Sequence, residues 1–373
     1  MKNMKIGIPT MSLGRPGLHS LDDKLHQAAQ YGFEGIELFM DDLDHLANTQ
    51  FHGSSQQAAQ HISHVCTSLN LTVICIQPFG FYEGLLDRTQ TAHLLTHKLP
   101  RWFELARILN TDLIQIPANF LPADPATGAP RTSADFDLIV ADLAAIADLG
   151  AAQAPPFRFV YEALCWSSHI DTWEAAWRVV RAVDRDNFGL CLDTFNLAGR
   201  VYADPAAASG ETPNAAAELD ASLARLRHAA ASGDLDRTKI FYIQLVDGER
   251  LAAPLDDKHP FYVAGQPARM NWSRNARLFP CEEDRGGYLP VLKVAREFFD
   301  LGFEGWVSLE LFSRTCADPD PITPALHAQR GMESWRKVVQ ALELDVEVPT
   351  PLAGERTMQL PVDTDGAVVH HRL

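Results

Sequence analysis

The feature that most constrains this chain is an alternation. Short apolar runs of strand character recur eight times, and a stretch with helical period follows each. The runs are KIGIPT (5–10), GIELF (35–39), LTVICIQ (71–77), DLIQIP (112–117), FRFVYE (157–162), FGLCLD (188–193), KIFYIQL (239–245) and GWVSLEL (305–311). The stretches between them carry apolar residues at three- and four-residue spacings, and several stop at Gly or Asn, as helix C-termini do. Strands apolar on both faces suit a parallel sheet covered by helices, and eight β-then-α units predict a closed (β/α)8 barrel rather than an open doubly wound sheet. No G-x-G-x-x-G follows the first strand and there is no P-loop, which further weakens a nucleotide-binding reading. Residues 1–345 read as one barrel domain. The Pro-rich, polar segment 346–373 reads as an extended tail lying on its own barrel or on a neighbour's, the second case implying a homo-oligomer.

Composition narrows the function. With 46% hydrophobic and 21% charged residues the chain has the balance of a soluble globular protein. Its longest apolar runs, such as KIFYIQLV, are far shorter than a bilayer span, so no membrane segment is expected. The N-terminal MKNMKIGIPTMSLG lacks an apolar signal core, which makes the cytoplasm the default location. A formal net charge of −16 argues against nucleic acid as a partner, because phosphate binding needs a concentrated basic surface. The six cysteines are scattered without a Cys-x-x-Cys pair and read as reduced thiols.

Chemistry gathers where strands five to eight run out, at Glu162, Asp193, Gln244 and Glu310. Equivalent places on successive strands ring one mouth of a closed barrel, the mouth that carries the active site in this architecture. A single strand-end carboxylate usually reads as a solvated or arginine-paired group. Three brought together would repel and raise one another's pKa unless a cation neutralised them. All-oxygen ligation favours Mg²⁺ or Mn²⁺, with Co²⁺ as a further candidate. Gln244 is the weakest member, since its amide is equally able to bond the backbone.

Two long insertions, 197–216 and 246–287, fall on the same strand-to-helix side. The second contains MNWSRNARLFP, where Ser273, Arg274 and Arg277 offer hydroxyl and guanidinium groups; an arginine there would fork onto a substrate carboxylate or merely offset local acid. His169, in the loop after strand five, is a candidate for acid–base chemistry or for substrate binding. IQPFGFYEGLLDR after strand three supplies Gln77, Phe79, Tyr82, Glu83 and Arg88 as a pocket wall with polar substrate contacts. His61 and His64, at i, i+3 on a helix, and His370 and His371 in the tail read as surface or satisfied groups.

Several of these stretches form a pattern. YEALCW, LCLDTFN, YIQLVDG, NWSRNARLFP and SLELFSR, with IQPFGFYEGL and KIGIPTMSLG, occur in the order seen in the 3-dehydroshikimate dehydratases of quinate and shikimate catabolism, and the chain resembles the fungal-type single-domain members over residues 4–345. The resemblance implies a xylose-isomerase-like barrel, a divalent metal held by Glu162, Asp193, Gln244 and Glu310, and substrate contacts at Ser273 and Arg277. It implies a lyase that acidifies the hydrogen beside a ketone, expels the β-hydroxyl as water and forms aromatic protocatechuate from a small carboxylate substrate. One position departs from the pattern. Bacterial members carry a histidine three residues after the metal-binding aspartate, where this chain has Asn196. An amide takes up no proton at neutral pH, so Asn196 is expected to hydrogen-bond substrate rather than act as base. Two rivals stand beside this reading: a sugar isomerase or epimerase on the same barrel, with little need for Arg277, and a non-catalytic barrel that binds a small acid.

Overall fold

The computed structural model describes residues 3–351. Eight parallel strands close into a barrel in the order β1-β10-β7-β6-β5-β4-β3-β2. They are β1 (Met4–Pro9), β2 (Gly35–Phe39), β3 (Thr72–Gln77), β4 (Leu113–Pro117), β5 (Arg158–Glu162), β6 (Phe188–Asp193), β7 (Ile240–Gln244) and β10 (Gly305–Ser308). All eight coincide with runs read from the sequence. The last is shorter than expected, because pairing with β1 ends at Ser308 and Glu310 lies beyond it on the following loop. The remaining two strands, β8 (Asp247–Gly248) and β9 (Arg277–Leu278), form a short antiparallel ladder inside the second insertion.

Strand residues alternate between the barrel axis and the helices outside. Cys75, Leu113, Val160, Cys191 and Tyr242 pack together as an apolar cluster on one set of positions, with Glu37, Gln77, Gln115, Glu162, Asp193 and Gln244 following on the same phase of their strands. The outward phase joins the helices in the main core, where Ile36, Ile114, Phe159, Leu190, Ile243 and Val307 are buried.

Local chemistry places the helix starts. Ser20, Ser54, Asp87, Asp135 and Thr172 each accept a hydrogen bond from a backbone N–H in the first turn of the helix that follows. A helix at Met40–Gln50, directly after β2, was not anticipated. Nor was the helix Thr194–Val201, which occupies the start of the first insertion. Lys24 and Asp42, both buried, form an ion pair at 2.6 Å between the first two helices. Val346 and Val348 pack against the barrel core. Residues 352–373, most of the tail and with it His370 and His371, lie outside the described residues. Among the described residues no helix is long and apolar enough to cross a membrane, and all six cysteines are free thiols.

Candidate active site

Barrel register brings the strand ends together. Asp193 lies directly opposite Gln244, Gln244 opposite Ser308, and Glu162 opposite Pro117. One carboxylate oxygen from each of Glu162, Asp193 and Glu310 falls within 4.8 Å of the others, and all three residues are buried. Asp193 does two jobs because β6 passes straight into a helix. Its Oδ1 accepts the N–H groups of Phe195 and Asn196 at 2.5 and 3.1 Å, capping that helix, while Oδ2 faces the cluster. A carboxylate at the end of an apolar strand is therefore both a helix cap and a member of the site.

Asn196, one turn along that helix, is locked. Its Oδ1 accepts the Cys165 N–H at 3.0 Å, which turns Nδ2 toward Glu162 Oε1 and Asp193 Oδ2 at 2.8 and 3.0 Å. Its amide thus holds two carboxylates at a fixed separation, a role read from neither composition nor spacing. Gln115 adds a further donor, from Nε2 to Glu162 Oε2.

Arg277 provides the positive charge. Its side chain is 1% exposed, with Nη1 at 3.1 Å from Asp193 Oδ2 and 2.5 Å from Glu310 Oε2. Ser273, one turn back along the helix Ala268–Ala276, accepts from Nε at 2.9 Å. Phe195 and Phe312 flank the guanidinium carbon at 4.4 and 5.1 Å, with Trp166 at 6.0 Å. Nη2 makes no hydrogen bond among the described residues, so a planar pair of donors remains available beside the carboxylates.

The electrostatics follow from burial. Desolvation lifts Glu162 well above the ordinary carboxylate range, and the charges of Glu310 and Asp193 add to the rise. Glu310 is pushed up to about 8 by burial, against the pull of Arg277. Asp193 also rises through burial, restrained by Arg277 and by its helix N–H groups. Burial opposes the charge on Arg277, but Asp193, Glu310 and Glu162 outweigh it and raise its pKa. One guanidinium against three carboxylates leaves the site electron-rich.

The donor set fits a divalent cation. Three carboxylates converge, and the Gln244 amide beside them turns Nε2 toward Glu310 Oε1 at 3.1 Å, leaving its Oε1 buried and, among the described residues, without a partner. An orphaned carbonyl oxygen next to an excess of carboxylate is a ligand set for a hard ion.

Two sequence expectations meet a different arrangement. Gln77 does not line an open wall: its Nε2 donates to Glu37 Oε2 at 2.6 Å and is buried there. The Tyr82 hydroxyl donates to the Asp142 carbonyl at 2.6 Å, which takes its only donor away from any substrate. His169, by contrast, keeps one ring nitrogen uncommitted: Nε2 is held by Thr132 Oγ1 at 3.0 Å, and among the described residues no hydrogen bond joins the ring to the carboxylates. Arg274 is half-buried and hydrogen-bonds Gln266, and His61 pairs with Asp22. Missed by the sequence reading were Glu37, Gln115 and Trp166. The first two carried a signal, a single polar side chain in the middle of an otherwise apolar strand.

A closed parallel barrel with a carboxylate cluster at its strand ends is a recognisable class. Residues 25–338 match the xylose isomerase-like TIM barrel family, and the chain belongs to it. Within that class it is 50% identical over 357 residues to the 3-dehydroshikimate dehydratase of Neurospora crassa, spanning 92% of this chain and 96% of the relative. The 3-dehydroshikimate dehydratase of Pseudomonas aeruginosa is 30% identical over 312 residues, which is 83% of this chain but 38% of that longer protein. Among solved structures, a xylose isomerase-like TIM barrel/4-hydroxyphenylpyruvate dioxygenase fusion protein superposes with a TM-score of 0.66 at 25% identity, over 91% of this chain and 43% of that one.

Proposed function

We propose that the chain is a metal-dependent 3-dehydroshikimate dehydratase, a hydro-lyase that removes water from 3-dehydroshikimate to give protocatechuate. The observation that carries it is Arg277, desolvated between aromatic rings with Nη2 unpaired, beside a buried carboxylate cluster. It joins a recognition group for an anion to a site for a cation, in a chain half identical to a dehydratase of that name.

Glu162, Asp193, Gln244 and Glu310 would hold the ion, and Mg²⁺, Mn²⁺ and Co²⁺ suit their all-oxygen donors. Bound there, a divalent cation supplies Lewis acidity to a ketone and its neighbouring hydroxyl, making the intervening hydrogen easier to remove. The protein does the rest by placement. Arg277 Nη2 receives the substrate carboxylate, with Ser273 fixing the guanidinium plane through Nε. Asn196 keeps Glu162 and Asp193 apart and has no basic lone pair, so it positions and does not take the proton. We assign that proton to His169, whose Nε2 is anchored by Thr132, leaving Nδ1 to serve as base. One hydrogen and one hydroxyl leave as water, and aromatisation makes the step irreversible in practice.

Purified protein incubated with 3-dehydroshikimate and Mg²⁺, Mn²⁺ or Co²⁺ should generate the ultraviolet absorbance of protocatechuate. Folded protein that gives no product with any of the three ions removes the proposal. His169→Asn should lower kcat by about 10²- to 10⁴-fold with metal content unchanged; an unaltered kcat moves the base elsewhere.

A further inference from the structure

Glu37 lies midway along β2, inside the barrel beneath the strand-end carboxylates, and is fully buried. The hydrogen bonds that reach it from side chains all end on its oxygens. Gln77 Nε2 reaches its Oε2 at 2.6 Å and the Tyr242 hydroxyl at 2.9 Å. Gln244 Nε2 lies 3.1 and 3.2 Å from its two oxygens, and the Cys75 thiol 3.7 Å from Oε2. In each of these contacts a carboxyl oxygen of Glu37 accepts; burial raises its pKa, and the donors around it pull the other way.

The consequence falls on Gln244. A glutamine amide has two orientations of nearly equal shape, and only its neighbours choose between them. Here Nε2 faces three carboxyl oxygens, two from Glu37 and one from Glu310, while Oε1 has no partner among the described residues. Turned over, the carbonyl lone pairs would confront those same three oxygens. Glu310 belongs to the metal-holding set, so Glu37 is the acceptor dedicated to this choice. We propose that Glu37 is a positioning residue that fixes the Gln244 amide so that its carbonyl oxygen, not its nitrogen, is offered to the cation. This rests on the metal reading given above. It also accounts for Gln77, which completes the shell of Glu37 instead of meeting substrate.

The test is Mn²⁺ binding, measured by calorimetry and by the electron paramagnetic resonance of free Mn²⁺, independently of turnover. Glu37→Gln offers Gln244 an amide that accepts or donates, so the orientation is no longer imposed. Its Mn²⁺ affinity should fall at least about tenfold, the usual scale for losing a group that orients a ligand, while circular dichroism and thermal unfolding stay close to wild type. Gln244→Glu provides a second route that does not depend on that variant folding. A fourth carboxylate would ordinarily tighten binding, but facing Glu37 it should weaken it. The exchanged pair Glu37→Gln with Gln244→Glu, which restores an amide donating to a carboxylate, should return the affinity to within about threefold of wild type, undoing losses of the scale given for orienting groups. Wild-type protein that takes up no Mn²⁺ overturns the metal reading itself. Wild-type uptake with unchanged affinity in Glu37→Gln, tighter binding in Gln244→Glu alone, or no recovery in the exchanged pair overturns the assignment to Glu37 and leaves the metal reading standing.

Discussion

Arg277 is bound to Ser273 through Nε and to two carboxylates through Nη1, so its removal and the removal of a carboxylate have opposite meanings. Arg277→Ala leaves Glu162, Asp193 and Glu310 without a buried counter-charge. It should cost about 3–5 kcal/mol in chemical denaturation without added metal and raise KM for a carboxylate substrate. Glu310→Ala relieves repulsion instead. It should keep the barrel folded by circular dichroism, lower bound Mn²⁺ by elemental analysis and reduce turnover by at least about 100-fold; full activity would remove Glu310 from the cation-holding set. At this scale the sequence was legible wherever a strand end carried charge, as at Glu162 and Asp193. It was opaque wherever a side chain's partner decided its role. Gln77 and Tyr82 have the chemistry of substrate contacts, but Glu37 and the Asp142 carbonyl claim their donors. Asn196 looked like a substitute for a lost histidine, and its three hydrogen bonds make it a brace.

The helix Ala268–Ala276 and the β8–β9 ladder turn a long insertion into part of the site. Gly248 pairs with Arg277, and Trp272 packs on Phe195 at 4.5 Å between ring centres, with its indole N–H donated to the Glu249 carbonyl at 2.8 Å. A Cβ at Gly248 would stand 2.4 Å from Trp272 Cζ2 and 3.1 Å from Phe195 Cε2. Gly248→Ala should therefore cost about 1–3 kcal/mol in thermal or chemical unfolding and reduce kcat/KM by displacing the guanidinium; a wild-type profile in both would show that the ladder does not hold Arg277. The eight barrel strands were readable because a buried parallel strand writes a continuous apolar run. A two-residue ladder across a long excursion writes no period, and neither does a single turn of pairing that ends β10 early, so these had to be seen.

At the scale of the molecule, buried titratable groups give the fold a pH signature. Burial pushes Glu83 and Asp247 up to about 7 and Glu310 up to about 8. Folded protein then holds more protons than unfolded chain between the ordinary carboxylate range and these values, so stability falls as pH rises through them. His327 acts oppositely: burial holds its pKa well below 6.5, so acid favours the unfolded chain there. With chelator present, the midpoint of thermal unfolding should decline steadily from pH 6.5 to about 8.5; a flat or rising curve would show that these carboxyls are hydrated in solution. The ladder that seats Arg277 carries one last consequence. Gly248 and Arg277 clasp the neck of an excursion whose tip, around Asp256, Asp257 and Lys258, is exposed. A segment spliced between Asp257 and Lys258 should therefore leave turnover close to wild type; a lost activity would show that the tip and the base of the excursion move together.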